Sequence, residues 1–249
     1  MNLQVALPVA LFICIGWIFS VCIHEFGHAI VAYWGGDTSV KDKGYLTLNP
    51  AKYIDLNGSI VLPVVLLLLG GVALPGAAVY IQRGRLHNRG WQSAVSAAGP
   101  LASILVTFLL VTPFWLGLAK PEQGAWPGAA LAYLALLQIA AVLLNLLPIP
   151  PLDGYGIFEP WLPPSLQKQM AQFSRNGIFI VFAVLWFSPQ ANHAFWDITY
   201  RLGLWAGVPL ELAAVGHELF RRWATIFLFG MIAVAAIVRQ ILTPKVKHR

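Results

Sequence analysis

Apolar runs long enough to cross a lipid bilayer recur along this chain, and they restrict its fold more than any other feature. A helix needs about 20 mostly apolar residues to span a ~30 Å hydrocarbon core, and such runs begin near residues 3, 91 and 127. Only 10% of the 249 residues are charged, against about 25% in a soluble globular domain. Backbone polar groups in lipid must be satisfied within the chain, which favours helices. The sequence therefore predicts an all-α polytopic membrane protein.

The predicted helices divide the chain into a core and a C-terminal part, with glycine and proline at most boundaries. The predicted membrane helices cover about residues 3–33, 91–114, 127–147, 165–187 and 223–241. Residues 190–222 mix tryptophan, histidine and charged residues and show no clear periodic pattern. We expect one membrane-embedded domain over residues 1–249, with its core at about 3–160 and additional transmembrane helices at about 165–242. The first run lacks a preceding basic region and a small-residue cleavage site, so we expect it to remain as a helix.

A zinc-binding motif lies near the end of the first predicted helix. His24-Glu25-Phe26-Gly27-His28 has the H-E-x-x-H pattern, and residues four apart share one face of a helix, so both imidazoles can reach one metal ion. Zinc lowers the pKa of a bound water towards ~7, and Glu25 is placed to take its proton. The alternative is a polar cluster satisfied by its neighbours, but ionisable residues within a membrane are costly and usually functional.

The motif supplies two ligands, whereas a catalytic zinc site needs three and a water molecule. Asp153 is the best third candidate, because it follows the third predicted helix in the run Asn145-Leu-Leu-Pro-Ile-Pro-Pro-Leu-Asp-Gly154. The three prolines prevent a regular helix there. Irregular backbone at membrane depth is tolerated only against protein or a water-filled cavity, as a hydrolytic site requires. The alternative is a turn in which Asp153 caps the following segment.

Together the two motifs resemble those of the site-2 protease family of intramembrane zinc metalloproteases. That family combines H-E-x-x-H in one core helix, here His24 to His28, with N-x-x-P-x-x-x-L-D-G in another, here Asn145 to Gly154. The small-residue stretch Ala97-Ala98-Gly99-Pro100-Leu101-Ala102 is similar to the start of an intervening helix in the family. The resemblance covers roughly residues 10–160.

The resemblance implies an enzyme that hydrolyses peptide bonds of transmembrane protein substrates within or at the edge of the bilayer. It implies one Zn²⁺ per chain, held by His24, His28 and Asp153. Glu25 would be the general base, and Asn145 would position substrate or stabilise the oxyanion. The implied partners are the substrate and the lipid bilayer, with no nucleic acid, and the sequence sets no oligomeric state.

Further features relate the chain to one branch of the family and separate it from other relatives. Leu46-Thr-Leu-Asn-Pro50 with Asp55 resembles the compact bacterial-type branch that has no accessory domain. No segment fits a peptide-binding (PDZ-like) domain. Many relatives have Asn after Gly-Pro where this chain has Ser103, so a hydrogen bond from that helix to the Asn145 loop is not implied here.

Two other readings stay open at this level. The first is a non-catalytic membrane scaffold of the same fold, which the intact His24, Glu25, His28 and Asp153 disfavour. The second is a membrane-anchored zinc protease that acts on soluble proteins and takes its third ligand from a helix. Glu211 and Glu218 would then be the candidates, but they lie beyond four predicted helices.

The membrane topology follows from the need to bring both motifs to one zinc ion. Residues 35–91 must begin and end on the same membrane face, so the apolar segment 58–82, broken by Pro63, Gly70-Gly71 and Pro75, should be re-entrant. The motif face then collects most of the basic residues that give the net charge of +6. Since positive charge accumulates on the cytoplasmic side, we expect a multi-pass protein of the bacterial cytoplasmic membrane whose active site faces the cytoplasm.

Overall fold

The computed structural model describes residues 3–53, 79–119, 126–174 and 177–242, with residues 3–4 and 227–242 described as backbone. Within these ranges the regular structure is helical and contains no strand. The helices are α1 Leu3–Trp34, α2 Ser39–Asp42, α3 Arg89–Trp115, α4 Trp126–Asn145, α5 Asp153–Phe158, α6 Pro164–Ser174, α7 Gly177–Phe187, α8 Pro189–Ala206 and α9 Leu210–Leu242. Short 3₁₀ turns lie at Pro50–Lys52, Arg83–Arg85 and Glu159–Trp161. The all-α prediction is confirmed.

Three of the described helices, α1, α3 and α4, are long and apolar enough to cross a membrane. Helix α4 lies at the centre of the bundle and packs against α1, α3, α8 and α9. The main apolar cluster joins α1, α4 and α9 through Ile13, Leu134, Leu137 and Phe220, all of them fully buried. The chain is therefore a membrane protein whose two motif-bearing helices, α1 and α4, are packed against one another.

Small residues let the helices approach closely, as is common where lipid rather than water surrounds them. A Cβ atom at Gly27 would lie 2.8 Å from the Ala98 carbonyl oxygen of α3 and 3.1 Å from the Ala102 Cβ. Gly27 belongs to the H-E-x-x-H motif, so α1 and α3 approach closely at the turn that carries the two histidines. One of the motif's two unspecified positions thus serves helix packing.

The observed boundaries agree with the predicted ones in the core and differ after it. Helix α4 ends at Asn145, two residues before the predicted end, because Pro148 follows. The single helix predicted over 165–187 is two helices, α6 and α7, inclined at 64°. The predicted start of the last helix near residue 223 is wrong, since α9 begins at Leu210.

Residues 190–222, which showed no clear pattern in sequence, belong almost entirely to helices. Ser188 caps α8 by accepting a hydrogen bond from the Ala191 N–H, and Gly207, at φ +86°, ends that helix. In α9 the charged residues pair along the helix, with Glu218 bonded to both Arg221 and Arg222. Pairs at i,i+3 and i,i+4 are compatible with a continuous helix, and α9 runs unbroken through these charged residues.

The two flanks of segment 54–78 meet beside the C-terminal end of α1. The His87 N–H donates to the Gly35 carbonyl oxygen at 2.9 Å, and Leu86 packs with Val40 of α2 in one apolar cluster. Gly36, at φ +111°, has no Cβ to collide with the Arg85 carbonyl oxygen, which only glycine permits comfortably. Residues 35 and 87 therefore lie at the same end of the bundle. The predicted re-entrant segment 58–82 falls, up to residue 78, outside the described residues.

Candidate metal centre

His24, His28 and Asp153 converge at one point, although 125 residues separate His28 from Asp153 (153 minus 28). The two Nε2 atoms are 3.1 Å apart. The Asp153 carboxylate places Oδ2 3.1 Å from His24 Nε2 and Oδ1 3.3 Å from His28 Nε2. Tetrahedral zinc with bonds of ~2.0–2.1 Å separates its ligand atoms by roughly 3.3 Å. Each of these three separations is close to that spacing, and one ligand atom from each residue lies within 4.8 Å of the other two.

The outer nitrogens of both histidines are held by α3. His28 Nδ1 lies 2.7 Å from the Val95 carbonyl oxygen, which can only accept, so Nδ1 carries the proton and Nε2 presents its lone pair. His24 Nδ1 lies 3.0 Å from the Ser103 hydroxyl. Such partners fix the ring orientation of metal-binding histidines, and a carbonyl partner also fixes the tautomer. Both rings therefore present Nε2 at the point of convergence.

Gly99 leaves the space between these rings open. A Cβ atom at this position would lie 2.6 Å from His24 Nε2 and closer still to His28 Nε2. The absence of a side chain at residue 99 keeps the face of α3 clear beside the donor atoms. The close approach of the Gly99 backbone, which leaves both Nε2 atoms unobstructed by a side chain, together with the donor set, fits a zinc ion.

Asp153 reaches the histidines because the chain turns sharply after α4. Its neighbour Gly154 lies so close to Leu146 that a Cβ there would collide with the Leu146 carbonyl oxygen. The Asp153 side chain is 21% exposed, whereas the side chains of His24 and His28 are 6% and 10% exposed. A cavity of about 240 Å³ adjoins Asp153, and its walls include Arg83, Ser96, Tyr155 and Glu159. The centre is therefore more accessible from the Asp153 side.

Glu25 lies beside the donor atoms and is not one of the three that converge. Its side chain is buried, and Oε2 accepts a hydrogen bond of 2.9 Å from the Val79 backbone N–H. A carboxylate held in place beside a metal centre can accept a proton there. The arrangement agrees with the base role predicted for Glu25, which no contact of this structure tests directly.

The remaining predicted residues are placed as follows. Asn145 is buried at the last position of α4, and its role in substrate binding stays a prediction. Ser103 bonds to His24, a contact that the sequence did not predict. Asp55 lies outside the described residues. Among the described residues, the cluster of metal-binding type contains Asp153 and neither Glu211 nor Glu218.

Sequence reasoning missed the way α3 supports the centre, although a signal was present. Val95, Gly99 and Ser103 are spaced four residues apart, so they share one face of the helix. Each contacts or makes room for a motif histidine. Small or medium-sized residues spaced four apart on a helix that lies between two metal-binding motifs indicate the face of that helix that turns towards the ion.

Similar proteins are found in several bacteria, and each is named as a zinc metalloprotease, the class of protein in which such a donor set occurs. The chain is 42% identical over 216 residues to "Putative zinc metalloprotease Rip2" of Mycolicibacterium smegmatis, covering 85% of this chain and 80% of that protein. The protein of the same name from Mycobacterium tuberculosis is 40% identical over 212 residues, with the same coverage. "Putative zinc metalloprotease YwhC" of Bacillus subtilis is 34% identical over 199 residues, covering 75% of this chain and 85% of that protein.

No family profile and no solved structure matches the chain. The relatives cover 75–85% of its length at 34–42% identity, and the described helices bring together a donor set of zinc-binding type. The cofactor is therefore Zn²⁺, and the activity is that of a metalloprotease. The chain belongs to the site-2 protease family of zinc metalloproteases.

Proposed function

We propose that this metalloprotease hydrolyses peptide bonds of membrane-protein substrates within or at the edge of the bilayer. The observation that supports this most is the position of the donor cluster on a helix of membrane-spanning length. His24 and His28 lie ten and six residues before the end of α1 at Trp34, which is ~15 Å and ~9 Å along the helix. A protease acting on soluble proteins has no need to place its centre at that depth.

The roles proposed here are supported by the position of each residue. His24, His28 and Asp153 would hold the metal, with the histidine rings oriented by Ser103 and Val95. Zinc bound there would supply Lewis acidity, lowering the pKa of water towards ~7 and polarising the scissile carbonyl. Glu25 takes a proton from the attacking water and returns it to the leaving amine nitrogen. The Asn145 amide, as an N–H donor, stabilises the oxyanion or orients the peptide.

A comparison of membranes tests the substrate class. Cells carrying the wild type and Glu25→Gln are compared by quantitative proteomics, with fragments and full-length proteins distinguished by their terminal peptides. We expect one or more transmembrane proteins to accumulate uncut in the Glu25→Gln membranes. Accumulation confined to soluble proteins would refute the intramembrane substrate while leaving the metalloprotease assignment intact.

The space at Gly99 gives a prediction about metal retention. We expect Gly99→Ala to lower zinc content well below one ion per chain, because the new methyl group would occupy the space beside both Nε2 atoms. Zinc is measured by inductively coupled plasma mass spectrometry on the purified protein. Ala97→Gly, a change of similar size two residues away on α3, serves as the control and should keep its zinc. Full zinc in Gly99→Ala would show that α3 can move away from the centre without loss.

The orientation in the membrane is part of the same proposal. The end of the bundle that carries the motif also carries the described residues Lys41, Lys43, Lys52, Arg83, Arg85 and Arg89. Basic residues near the ends of spanning helices accumulate on the cytoplasmic side, so we propose that the centre faces the cytoplasm of a bacterial cell.

Single cysteines test this topology in a variant from which Cys14 and Cys22 have been removed. Thr38 and His87 are exposed at the motif end, and Leu118 is 71% exposed beyond the far end of α3. In intact cells we expect Thr38→Cys and His87→Cys to be shielded from an impermeant thiol reagent and Leu118→Cys to be labelled. All three should react after permeabilisation. Labelling at position 38 or 87 in intact cells would contradict the proposed orientation.

A further inference from the structure

Residues 79–82 form an extended segment that passes beside Glu25, here called the 79–82 segment. Its side chains alternate as in a β-strand. Val79 and Ile81 pack against the apolar cluster at the motif end of the bundle, whereas Tyr80 points away and is 72% exposed. The segment therefore has one face fixed against the protein beside the proposed base.

Three polar contacts attach the backbone of this segment. The Val79 N–H donates to Glu25 Oε2 at 2.9 Å, and Lys43 Nζ donates to the Tyr80 carbonyl oxygen at 2.8 Å. The Gln82 N–H donates to Asp37 Oδ2 at 2.7 Å. The Lys43 contact is exposed to solvent, so it contributes little to stability. The Asp37 contact lies at the far end of the segment from Glu25; it is part-buried, and the Asp37 side chain that accepts it is fully buried.

Asp37 is fully buried, at 0% exposure, and nothing in the zinc motifs accounts for it. Its Oδ1 accepts hydrogen bonds from the Ser39 hydroxyl at 2.6 Å and the Ser39 N–H at 3.2 Å. Burial alone would raise the pKa of the Asp37 carboxyl. The hydrogen-bond donors of Ser39 and Gln82, together with the nearby Lys43, lower this pKa by more than burial raises it, so it lies below its ordinary value. A buried carboxylate is costly unless it is well hydrogen-bonded. Here each carboxylate oxygen of Asp37 accepts a hydrogen bond, and the donor to Oδ2 is the Gln82 N–H of the 79–82 segment.

We propose that Asp37 is a positioning residue for proteolysis, which acts by holding the 79–82 segment so that the Val79 N–H fixes the Glu25 carboxylate. Asp37 touches neither the metal ligands nor the site of reaction. It fixes residue 82, the packed side chains of Val79 and Ile81 transmit that position, and Val79 holds one oxygen of Glu25. The other oxygen then has a defined orientation towards the centre. The assignment rests on Glu25 acting as the base in the proposed function.

Loss of this positioning should lower kcat more than it changes KM. A catalytic group misplaced by about 1 Å can lose on the order of 10²-fold in rate. We therefore expect Asp37→Ala to lower kcat by about tenfold or more while KM changes by less than about twofold and the zinc content stays near that of the wild type. Asp37→Asn retains an oxygen that can accept from Gln82 and should restore most of kcat.

Ser39→Ala is the matched control, because it removes a hydrogen bond from the same carboxylate without breaking the link to Gln82. We expect it to keep kcat within about threefold of the wild type, the effect of a modest local perturbation. If Ser39→Ala and Asp37→Ala lower kcat equally, Asp37 serves only the local loop and the positioning role is wrong.

Hydrogen–deuterium exchange of the purified protein tests the structural link without any measurement of activity. In the wild type the amides of Val79 and Gln82 are hydrogen-bonded. We expect Asp37→Ala to accelerate exchange in peptides covering residues 79–82, with peptides from α1 unchanged, and Ser39→Ala to leave both protected. Protection that persists in Asp37→Ala would overturn the link, even if kcat falls. Lost protection with unchanged kcat would overturn the positioning role.

Two further variants separate this proposal from a folding defect and from failure of the proposed function. Gln82→Pro removes the donor at the other end of the same bond and should reproduce the Asp37→Ala effect on kcat.

Val79→Pro removes the donor to Glu25, and adding Asp37→Ala to it should lower kcat no further, since contacts that act through one another are not additive. Additive losses would refute the proposal. A wild-type protein that cuts no membrane substrate would instead refute the proposed function, and the positioning role with it.

Discussion

Glu25→Gln should abolish proteolysis while the protein keeps its zinc. Gln has nearly the shape of Glu and retains an oxygen that can accept from the Val79 N–H, so the local geometry should survive. It cannot take a proton from water. General acid–base catalysis is worth about 10²–10⁴-fold, and we expect kcat to fall by that amount. The metal should stay bound, because Glu25 is not one of the three residues whose donor atoms converge.

The measurement combines zinc content with cleavage of a membrane-protein substrate by purified protein in detergent or nanodiscs. Glu211→Gln, which makes the same change at an exposed position on α9, is the control and should behave as the wild type in both assays. Substantial cleavage by Glu25→Gln would show that another group acts as the base. Loss of zinc from Glu25→Gln would show that Glu25 contributes to metal binding.

Asp153→Ala should lose both zinc and activity. The Asp153 carboxylate contacts both histidine Nε2 atoms within 3.3 Å, and a third ligand is what catalytic zinc requires. Loss of groups that merely support a ligand costs roughly 10–100-fold in metal affinity or activity, so loss of the ligand itself should cost more. We expect less than stoichiometric zinc after dialysis and cleavage lowered by more than about 100-fold.

Glu218→Ala tests the competing ligand assignment in the same assays. Glu218 pairs with Arg221 and Arg222 along α9 and should be dispensable for zinc. The reverse pattern, with normal zinc in Asp153→Ala and depleted zinc in Glu218→Ala or Glu211→Ala, would support a helix-borne third ligand. Asp153→Glu is informative as well, because a carboxylate on a longer side chain should restore part of the zinc content if Asp153 is a ligand.

Much of the metal centre was predictable because its signals are local. The spacing of His24 and His28 defines one face of one helix turn, and a helix of membrane length follows from a continuous apolar run. The prolines between Asn145 and Asp153 end a helix wherever they occur. Asp153 could be selected as the third candidate from the irregular, proline-rich run that carries it, and the resemblance to a known pattern strengthened that choice, but no local rule places residue 153 beside residue 28.

The C-terminal part was harder to predict for a physical reason. Residues 190–222 were left unassigned and the last helix was predicted to begin near residue 223, yet Glu218, Arg221 and Arg222 pair with one another within the helix that begins at Leu210. The local sequence shows that these residues are charged but not which face of the helix they occupy. Helix α9 packs against α4, and this contact cannot be predicted from the sequence of either helix alone.

The helical membrane fold, the two motifs and the candidate metal ligands could be predicted from the sequence, because apolar runs, four-residue spacing and prolines are all features of neighbouring residues. Helix packing in three dimensions sets which face of α3 turns towards the histidines, and it gives roles to Val95, Gly99 and Ser103. It likewise brought the Val79 N–H to Glu25 and the Gln82 N–H to Asp37, across 54 and 45 residues of chain. Such contacts arise from the packing of separate helices and loops, and no local pattern in the sequence encodes them.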